Sequence, residues 1–538
     1  MATVMGSMGI RNDSLCFRKF SLKLLVCLSG CGVIMPQITI AFDWRIRPTL
    51  SMSEVFSDNL ELSDTAKKSG FVSEVAPGLS MYGQSPWSNF NLNYRLQGLY
   101  NAGGSETIEL HNQLQMNSLY QAVRNTLFLR TSSSIHQQNI SNSYIATDNI
   151  SGNRDRTTVT NFDISPYWTP HFGQYASGFL RGGYRQTSFN NSGFVENAEP
   201  TNPISDSSSY SADARLISGN KFGKIRWNLN YSLQHQNRDS GEDVQFEQYH
   251  GDLRYFINRK FSVYTNFGYE NNDYQTANDS IKNGFFYTFG GRWSPSRWYS
   301  LEAGYGNNYN VTARFNPSNH LTGFVTYRYK NVGLNTGSSW DANINYRAQQ
   351  ADVSFRYFQE TTTVQQILTQ QYDVNVFDPS GNVLVDPNTG LPFIISIDAP
   401  LLVDDVIINK QGTLTFGYRS GKSYYNISLY NTRRTYELNP QQDNVYGATA
   451  SWRWQIESRL NFYLRPTWQS IDISNSESGS SNTRYDVALG LSRAIPINLG
   501  RPLLMQTRLE LRHINQMSDL SSNDYTENRA TANFFVRF

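Results

Sequence analysis

The sequence has few cysteines, no dominant sign of charge and few apolar residues, and each shortage excludes a class of protein. Its three cysteines, Cys16, Cys27 and Cys31, all lie near the N-terminus, so the rest of the chain has no disulfide framework and no thiolate metal site. A net charge of +2 gives no indication of a nucleic-acid partner. Only 39% of the residues are apolar and the mean hydropathy is -0.51, which excludes a membrane protein built from helices.

The chain is instead rich in aromatic residues for so polar a sequence. Tyr, Phe and Trp number 33, 31 and 10 and together make up 14% of the 538 residues. This combination is typical of a transmembrane β-barrel, because aromatic girdles mark its two membrane interfaces while its interior is wet and polar.

The first 41 residues have the features of an export signal. Basic residues precede an apolar run that begins at Leu24 and continues to Ile40, and small residues around Ala41 suit cleavage. We therefore predict a signal peptide over residues 1–41 and a mature chain over residues 42–538. One alternative is acylation of Cys31, because the segment that ends there matches a lipoprotein signal. Another is an uncleaved transmembrane anchor.

Alternation of apolar and polar residues runs through the mature chain and is clearest from Tyr525 to the C-terminus. The apolar positions there are Ala530, Ala532, Phe534, Val536 and Phe538. The intervening positions are polar apart from Phe535, as in a strand with one face in lipid and one in water. An amphipathic last strand that ends on an aromatic residue resembles the outer-membrane insertion signal of bacterial β-barrels. Phe534, Val536 and Phe538 would carry that signal.

Short and long connections between the predicted strands alternate along the chain. Tight turns such as Ser420–Lys422 are separated by polar loops such as Asn190–Ser207. Outer-membrane barrels have this asymmetry, with short periplasmic turns and long outer loops. We predict an all-β fold, a single large transmembrane antiparallel β-barrel of about 24 strands (roughly 20 to 26), with both termini in the periplasm. Asn307-Asn308 must then form an outer turn.

One connection is much longer than the others. Residues 361–404 contain short apolar segments around turn sequences. The sequence leaves open whether this segment is a long outer loop or folds into the lumen as a constriction.

Charged residues on the polar faces of the strands are expected to line the lumen. The candidates are Arg95, Arg226, Arg254, Arg465, Arg508 and Glu510. One interpretation is a mixed-charge lattice that stabilises the barrel, which is favoured because both signs occur. The other is a track for an anionic polysaccharide.

The sequence indicates no catalytic or metal-binding constellation. None of the seven histidines has a metal-ligand spacing to another, and the best acidic pair, Asp404-Asp405, has no histidine close to it in the sequence. We predict that the chain is not an enzyme and has no cofactor or metal.

Several segments resemble a known family. They are Trp44–Pro48, Ser57–Leu60, Gly70–Ser80, Gly290–Arg297 and Leu301–Gly306. These segments are similar to those of the PEP-CTERM system-associated outer-membrane β-barrel family, except that Asn307-Asn308-Tyr309 stands where a Phe-Gly pair is usual. The resemblance implies an association with exosortase sorting and exopolysaccharide synthesis, and it brings no catalytic residues.

Barrel size and the resemblance together predict a pore or export channel in the outer membrane of a Gram-negative bacterium, serving exopolysaccharide or PEP-CTERM protein secretion. Its partners would be outer-membrane lipids, the barrel assembly machinery and the exported polysaccharide or protein. The alternative is a closed surface scaffold or receptor without transport activity.

Overall fold

In the computed structural model, the sheet formed by the chain closes on itself. The structure describes residues 43–102, 107–139, 148–151, 156–190, 204–276, 281–334, 336–370, 403–439, 441–474, 479–498, 500 and 502–538. Twenty-five strands belong to one sheet, in which sequence neighbours are paired. The last strand pairs antiparallel with the first, with Thr49 opposite Arg537 and Ser57 opposite Arg529. This pairing closes the barrel.

The strands are β1 (Asp43–Ser57), β2 (Gly70–Ser85), β3 (Ser88–Asn101), β4 (Thr107–Val123), β5 (Leu127–Asn139), β6 (Arg156–Trp168), β7 (His171–Phe172), β8 (Ala176–Phe189), β9 (Ser207–Ser218), β10 (Ile225–Arg238), β11 (Val244–Phe256), β12 (Phe261–Asp273), β13 (Gly284–Trp293), β14 (Tyr299–Gly306), β15 (Tyr309–Ser318), β16 (Leu321–Lys330), β17 (Gly337–Arg347), β18 (Ala351–Thr363), β19 (Val406–Ser420), β20 (Ser423–Tyr436), β21 (Gln442–Glu457), β22 (Leu460–Ser474), β23 (Gly479–Asn498), β24 (Pro502–Ser518) and β25 (Tyr525–Arg537). A short helix, α1 (Val364–Gln370), follows β18, and 3-10 turns occupy Asn220–Phe222 and Ser521–Asn523. Among the helices of the described residues, none is both long and apolar enough to cross a membrane.

The wall of the barrel consists of 24 full strands, because the two-residue β7 only continues β6 alongside β8. The predicted antiparallel barrel of about 24 strands is therefore confirmed. The pair Asn307-Asn308 joins β14 to β15, as the strand count required. The predicted signal peptide lies outside the described residues and stays a prediction.

The two ends of the barrel differ in the length of their connections. The end that holds Trp44 and Arg537 has short connections, whereas the connections at the opposite end include residues 58–69, 140–155, 190–206 and 364–405. In barrels of this kind the short connections are periplasmic. The two ends are therefore named the inner end and the outer end. Since β18 continues to Thr363 and β19 begins at Val406, the longest connection spans residues 364–405 rather than the predicted 361–404.

The two faces of the wall differ in polarity. Leu509, Phe289 and Phe534 project outwards and are 63%, 62% and 47% exposed. Their neighbours along each strand point inwards, and among the described residues more polar than apolar residues are buried. An apolar outer surface around a polar interior is the reverse of a water-soluble protein, and it places this wall in a membrane.

Inward-facing rings pack over glycines of the neighbouring strand. Tyr430 lies directly opposite Gly447, and Tyr463 lies directly opposite Gly490. A Cβ atom on Gly447 would lie 2.0 Å from the Tyr430 ring, so a larger residue would displace that ring. Glycine thus allows bulky side chains to lie flat against the inside of the wall.

Candidate functional site

A charge network lies on the inside of β22 to β25. The guanidinium of Arg508 lies over the Tyr463 ring, 4.5 Å from its centroid, and donates hydrogen bonds to the Tyr463 hydroxyl and to Glu510. The same hydroxyl donates to Glu510 at 2.6 Å. Arg465 stands two residues along β22 on the face that carries Tyr463. The structure therefore brings three of the predicted charges, Arg465, Arg508 and Glu510, to one part of the wall.

The network continues towards the outer end with paired charges. Asp486 accepts hydrogen bonds from Arg512 at 2.9 and 2.5 Å and from Arg484 at 3.2 Å. Arg529 donates to Glu527 at 2.6 Å, and Glu527 is fully buried. Each of these arginines meets a carboxylate, so this part of the wall carries paired charges of both signs, as the mixed-charge lattice requires.

Residues 148–151, the described part of the connection between β5 and β6, lie in the lumen against this network. Asp148 accepts hydrogen bonds from Arg529 at 2.5 Å and from Arg512 at 3.5 Å. The Ser151 hydroxyl donates to Glu527 at 2.7 Å. Burial alone would raise the pKa of Asp148, but the charges of Arg529 and Arg512 outweigh it and hold this pKa well below its ordinary value. Residues 148–151 are thus fixed inside the barrel, with the Asp148 carboxylate ionised.

The same segment reaches the first strands. Asn149 donates to Gln97 at 2.7 Å, and Gln97 donates to Glu74 at 2.7 Å. Glu74 also pairs with Arg95, which is 8% exposed and donates to Gln113 at 3.1 Å. Arg95 is therefore inside the barrel, on β3, and the polar contacts of Asn149 connect its surroundings to the β22–β25 network.

The remaining predicted charges, Arg226 and Arg254, occupy a different part of the wall. They lie directly opposite each other on β10 and β11. Arg254 pairs with Glu302 at 2.9 Å, whereas Arg226 is exposed and lies over the Phe256 ring, 5.5 Å from its centroid. The structure does not bring these two residues to the other candidates.

Sequence reasoning missed several residues of the network, among them Asp148 and Glu527. Glu527 is two positions before Arg529 and shares the polar face of the last strand with it, so the strand pattern could have indicated Glu527. Asp148 belongs to a connection with no periodicity, and its partner Arg529 is remote in the sequence. No sequence signal indicates that pair.

The predicted insertion signal lies at the seam where the barrel closes. Phe534 points outwards, and Val536 lies opposite Leu50 of β1. The backbone N–H of Phe538 donates to the Pro48 carbonyl at 2.8 Å. The exceptional Phe535 points inwards and is 5% exposed. Its place on the polar face is therefore a buried position within the barrel.

An apolar cluster closes part of the outer end. Its members are Val159, Phe189, Ile204, Val364, Ile367, Val403, Ile407 and Tyr436. The first three belong to β6, β8 and the connection after β8. The others belong to α1, β19, β20 and the three residues before β19. In strand order these two groups are nearly half a barrel apart. The cluster, named here the mouth latch, therefore joins opposite walls across the outer mouth.

Hydrogen bonds of Asp404 reinforce the mouth latch. Asp404 accepts from the Ser205 hydroxyl at 2.5 Å and from the Ser240 hydroxyl at 3.2 Å, and Gln365 of α1 donates to it as well. Arg238 donates to its carbonyl at 3.3 Å. Burial raises the pKa of Asp404, and the hydrogen bonds from Ser205 and the charge of Arg238 offset this only in part.

Asp405 fixes the neighbouring connection. It accepts from the backbone N–H groups of Leu438 and Asn439, each at 3.0 Å. Burial raises the pKa of Asp405 too, although these hydrogen bonds oppose the shift. The acidic pair therefore serves as a structural anchor. Of the residues that the structure describes, no three His, Cys, Asp or Glu are grouped so as to hold a metal ion.

The described ends of the longest connection answer part of the question left open by the sequence. Residues 364–370 and 403–405 lie across the outer mouth, and the Thr363 hydroxyl donates to Gln236 of the opposite wall at 2.9 Å. These parts form a constriction. The short apolar segments and turn sequences within residues 371–402 lie outside the described residues.

Fold and lumen together define the class: the chain is a 24-stranded β-barrel of the bacterial outer-membrane type. No protein-family model matches it, and no curated protein matches it. It is similar in fold to a mutant of the ferric enterobactin receptor PfeA from Pseudomonas aeruginosa, with 10% identity and a TM-score of 0.43 over 92% of this chain and 80% of that chain.

Two further solved structures are similar at the same level. The FrpB iron transporter from Neisseria meningitidis is 10% identical, with a TM-score of 0.45 over 91% of this chain and 81% of that chain. Pseudomonas aeruginosa OpdK, solved with vanillate, is 8% identical, with a TM-score of 0.33 over 92% of this chain and 99% of that chain. At these values the likeness carries no argument about function.

Proposed function

We propose that this barrel is an outer-membrane channel that is closed at its outer mouth by the mouth latch. The observation that carries the proposal is the nature of the closure. A wall of 24 strands encloses a wide lumen unless something fills it. Here α1 and residues 403–405, which are not part of the wall, bridge the mouth. A closure made by a connecting segment can open while the wall stays intact.

The cargo proposed for the channel is exopolysaccharide or PEP-CTERM protein, exported from the periplasm. The support is the set of sequence motifs at the start of the barrel and around β13 and β14. Outer-membrane lipids and the barrel assembly machinery are the further partners that this role needs.

Single-channel conductance in a planar bilayer tests the proposal. Thr363 and Val406 are directly paired, so residues 364–405 can be replaced by a two-residue Asn-Gly turn. We expect little conductance from the mature chain and large, steady conductance from this variant. A control variant that replaces only residues 372–401 with a flexible linker keeps the mouth latch and should stay closed.

The second candidate function is a closed surface scaffold or receptor, and the bridge of described residues across the outer mouth favours it as well. Absence of conductance in both the mature chain and the variant without residues 364–405 would support the scaffold and overturn the channel. Heat-dependent electrophoretic mobility of both samples would first establish that the barrels are folded. Conductance of the intact chain at the level of the shortened variant would contradict closure by the mouth latch.

A further inference from the structure

Four arginines form a belt on one wall of the lumen near the inner end. They are Arg226 on β10, Arg254 on β11, Arg292 on β13 and Arg314 on β15. Arg226 is the second residue of its strand, and Arg292 is the last but one of its strand. The adjacent Leu253 and Trp293 point to lipid and are 44% and 48% exposed, so the arginines point into the lumen. The belt therefore lies just inside the periplasmic entrance.

The arginine belt contains fewer carboxylates than arginines. Arg226 and Arg254 face each other on adjacent strands, an arrangement in which like charges repel. Glu302 pairs with Arg254, and Asp252 is the nearest other acid along that strand. Within the described part of the chain, Arg226 and Arg314 have no carboxylate partner, and both residues are exposed. The belt thus differs from the neutralised network on β22 to β25.

Neutral hydrogen-bonding groups lie between the arginines. Arg292 lies between Ser262 on β12 and Glu302 on β14, and Ser300 is opposite Arg314. Arg292 also donates to the Ser300 hydroxyl at 3.2 Å. Guanidinium groups bind carboxylates through paired hydrogen bonds, while hydroxyls suit the hydroxyls of a sugar. The lining therefore matches a polymer that carries both groups.

The connections of the barrel are strongly asymmetric in charge. The eleven connections at the inner end contain nine lysines and arginines and no aspartate or glutamate. The twelve connections at the outer end contain 23 aspartates and glutamates and only four lysines and arginines. A polyanion is therefore attracted to the inner end and repelled by the outer end, which disfavours its return.

We propose that the arginine belt is an anion-binding site that receives an acidic polysaccharide from the periplasm, and that the charge asymmetry makes its passage one-way. The direction of passage rests on the channel function proposed above. Anion binding at the belt does not, because the belt lies at the inner end, away from the mouth latch.

Binding to the folded mature barrel in detergent tests the site whether or not the barrel conducts. The probes are fluorescently labelled hexagalacturonate, the neutral maltohexaose and the acidic peptide hexaglutamate. We expect hexagalacturonate to bind and maltohexaose not to bind. The double substitution R226Q/R314Q should weaken hexagalacturonate binding at least roughly tenfold, since it removes the two unpaired charges.

The double substitution K67Q/K68Q is the matched control, because it removes the same charge from an outer connection. It should leave the affinity within about twofold of that of the unmodified chain, because those charges are farther away than a screening length. An equal loss of hexagalacturonate affinity in both variants would show that binding depends only on net charge, and would overturn the proposed site. Binding of hexaglutamate without hexagalacturonate would overturn the assignment to a polysaccharide.

Reversal potentials in a salt gradient separate this inference from the channel function. The shortened variant without residues 364–405 should prefer anions, and R226Q/R314Q should abolish the preference. Conductance without an anion preference, together with no binding of hexagalacturonate, would overturn the anion site at the arginine belt but not the channel function. Binding of hexagalacturonate without any conductance of the shortened variant would overturn the channel function and one-way passage, but not the anion site at the arginine belt.

Discussion

Arg529 Nη1 donates a hydrogen bond of 2.5 Å to Asp148 Oδ2, although the two residues are 381 positions apart in the sequence. The bond joins the last strand of the barrel to the connection between β5 and β6. Arg529 is held at the same time by the fully buried Glu527. Asp148, in a connection at the outer end, is therefore bound to the inside of the wall.

Replacing Asp148 by Asn should weaken this tie. We expect the free energy of unfolding to fall by about 1–2 kcal/mol, because a charged hydrogen bond is lost while the 31% exposure of the Asp148 side chain already allows some screening. Urea unfolding in detergent measures the change, with the exposed D64N as control. An equal effect of both substitutions would contradict the tie.

The same aspartate predicts how stability depends on pH. Because the pKa of Asp148 is lowered by folding, its contribution is present above the ordinary value of 3.8 and is lost as the pH falls below it. D148N should therefore reduce the stability of the barrel at pH 7 and make little difference at pH values well below that ordinary value. A difference that persists unchanged in strong acid would contradict the ionised contact.

The mouth latch should respond to pH in the opposite sense. Burial raises the pKa of Asp404 in the closed mouth, so protonation of Asp404 favours closure. Closure therefore weakens as the pH rises through this raised pKa. Asp405 shifts in the same direction, whereas the charge of Arg238 opposes the shift at Asp404. We expect the open probability of single channels to be higher at pH 8 than at pH 4.

The variant D404N tests this pH response, because an amide cannot ionise. Its open probability should depend much less on pH than that of the unmodified chain. The exposed D239N, in the connection that also holds Ser240, is the control and should keep the full dependence. Unchanged pH dependence in D404N would assign the response to another group.

The wall of the barrel could be predicted from the sequence because lipid imposes a simple rule. Each strand needs an apolar residue at every second position, and the last strand shows this from Ala530 to Phe538. An even number of strands then required a turn at Asn307-Asn308, and the structure has a turn there. Even the exceptional Phe535 obeys the strand geometry, since it points inwards and is buried there.

Contacts across the lumen could not be predicted in the same way. The alternation shows that Arg226 and Arg254 share the inner face, but only the strand register places them opposite each other. Asp148 and the helix α1 belong to connections, where no period relates a residue to its partner. Ile367 and Val159 belong to one buried cluster because the closed barrel brings distant strands together, and sequence spacing does not indicate this.

Weakening the apolar part of the mouth latch should open the channel. Ile367 is 7% exposed in the cluster, and truncation of a buried isoleucine to alanine costs roughly 2–5 kcal/mol. If even part of this destabilises only the closed mouth, I367A should raise the ratio of open to closed time at least about tenfold. The lipid-facing L504A is the control, since that residue is 55% exposed. Identical gating of I367A and the unmodified chain would show that the cluster does not hold the mouth.

Removing Phe538 should impair assembly of the barrel in the membrane. The residue directly follows the amphipathic last strand, and its N–H donates a hydrogen bond to the Pro48 carbonyl at the seam between β25 and β1. Deletion removes both the terminal aromatic ring and one hydrogen bond of the closing pair of strands, so we expect at least a several-fold fall in the amount of surface-exposed protein. Protease accessibility on intact cells measures it. F538Y keeps the ring and the backbone bond and should assemble normally, whereas normal surface levels of the deletion variant would show that insertion does not depend on this residue.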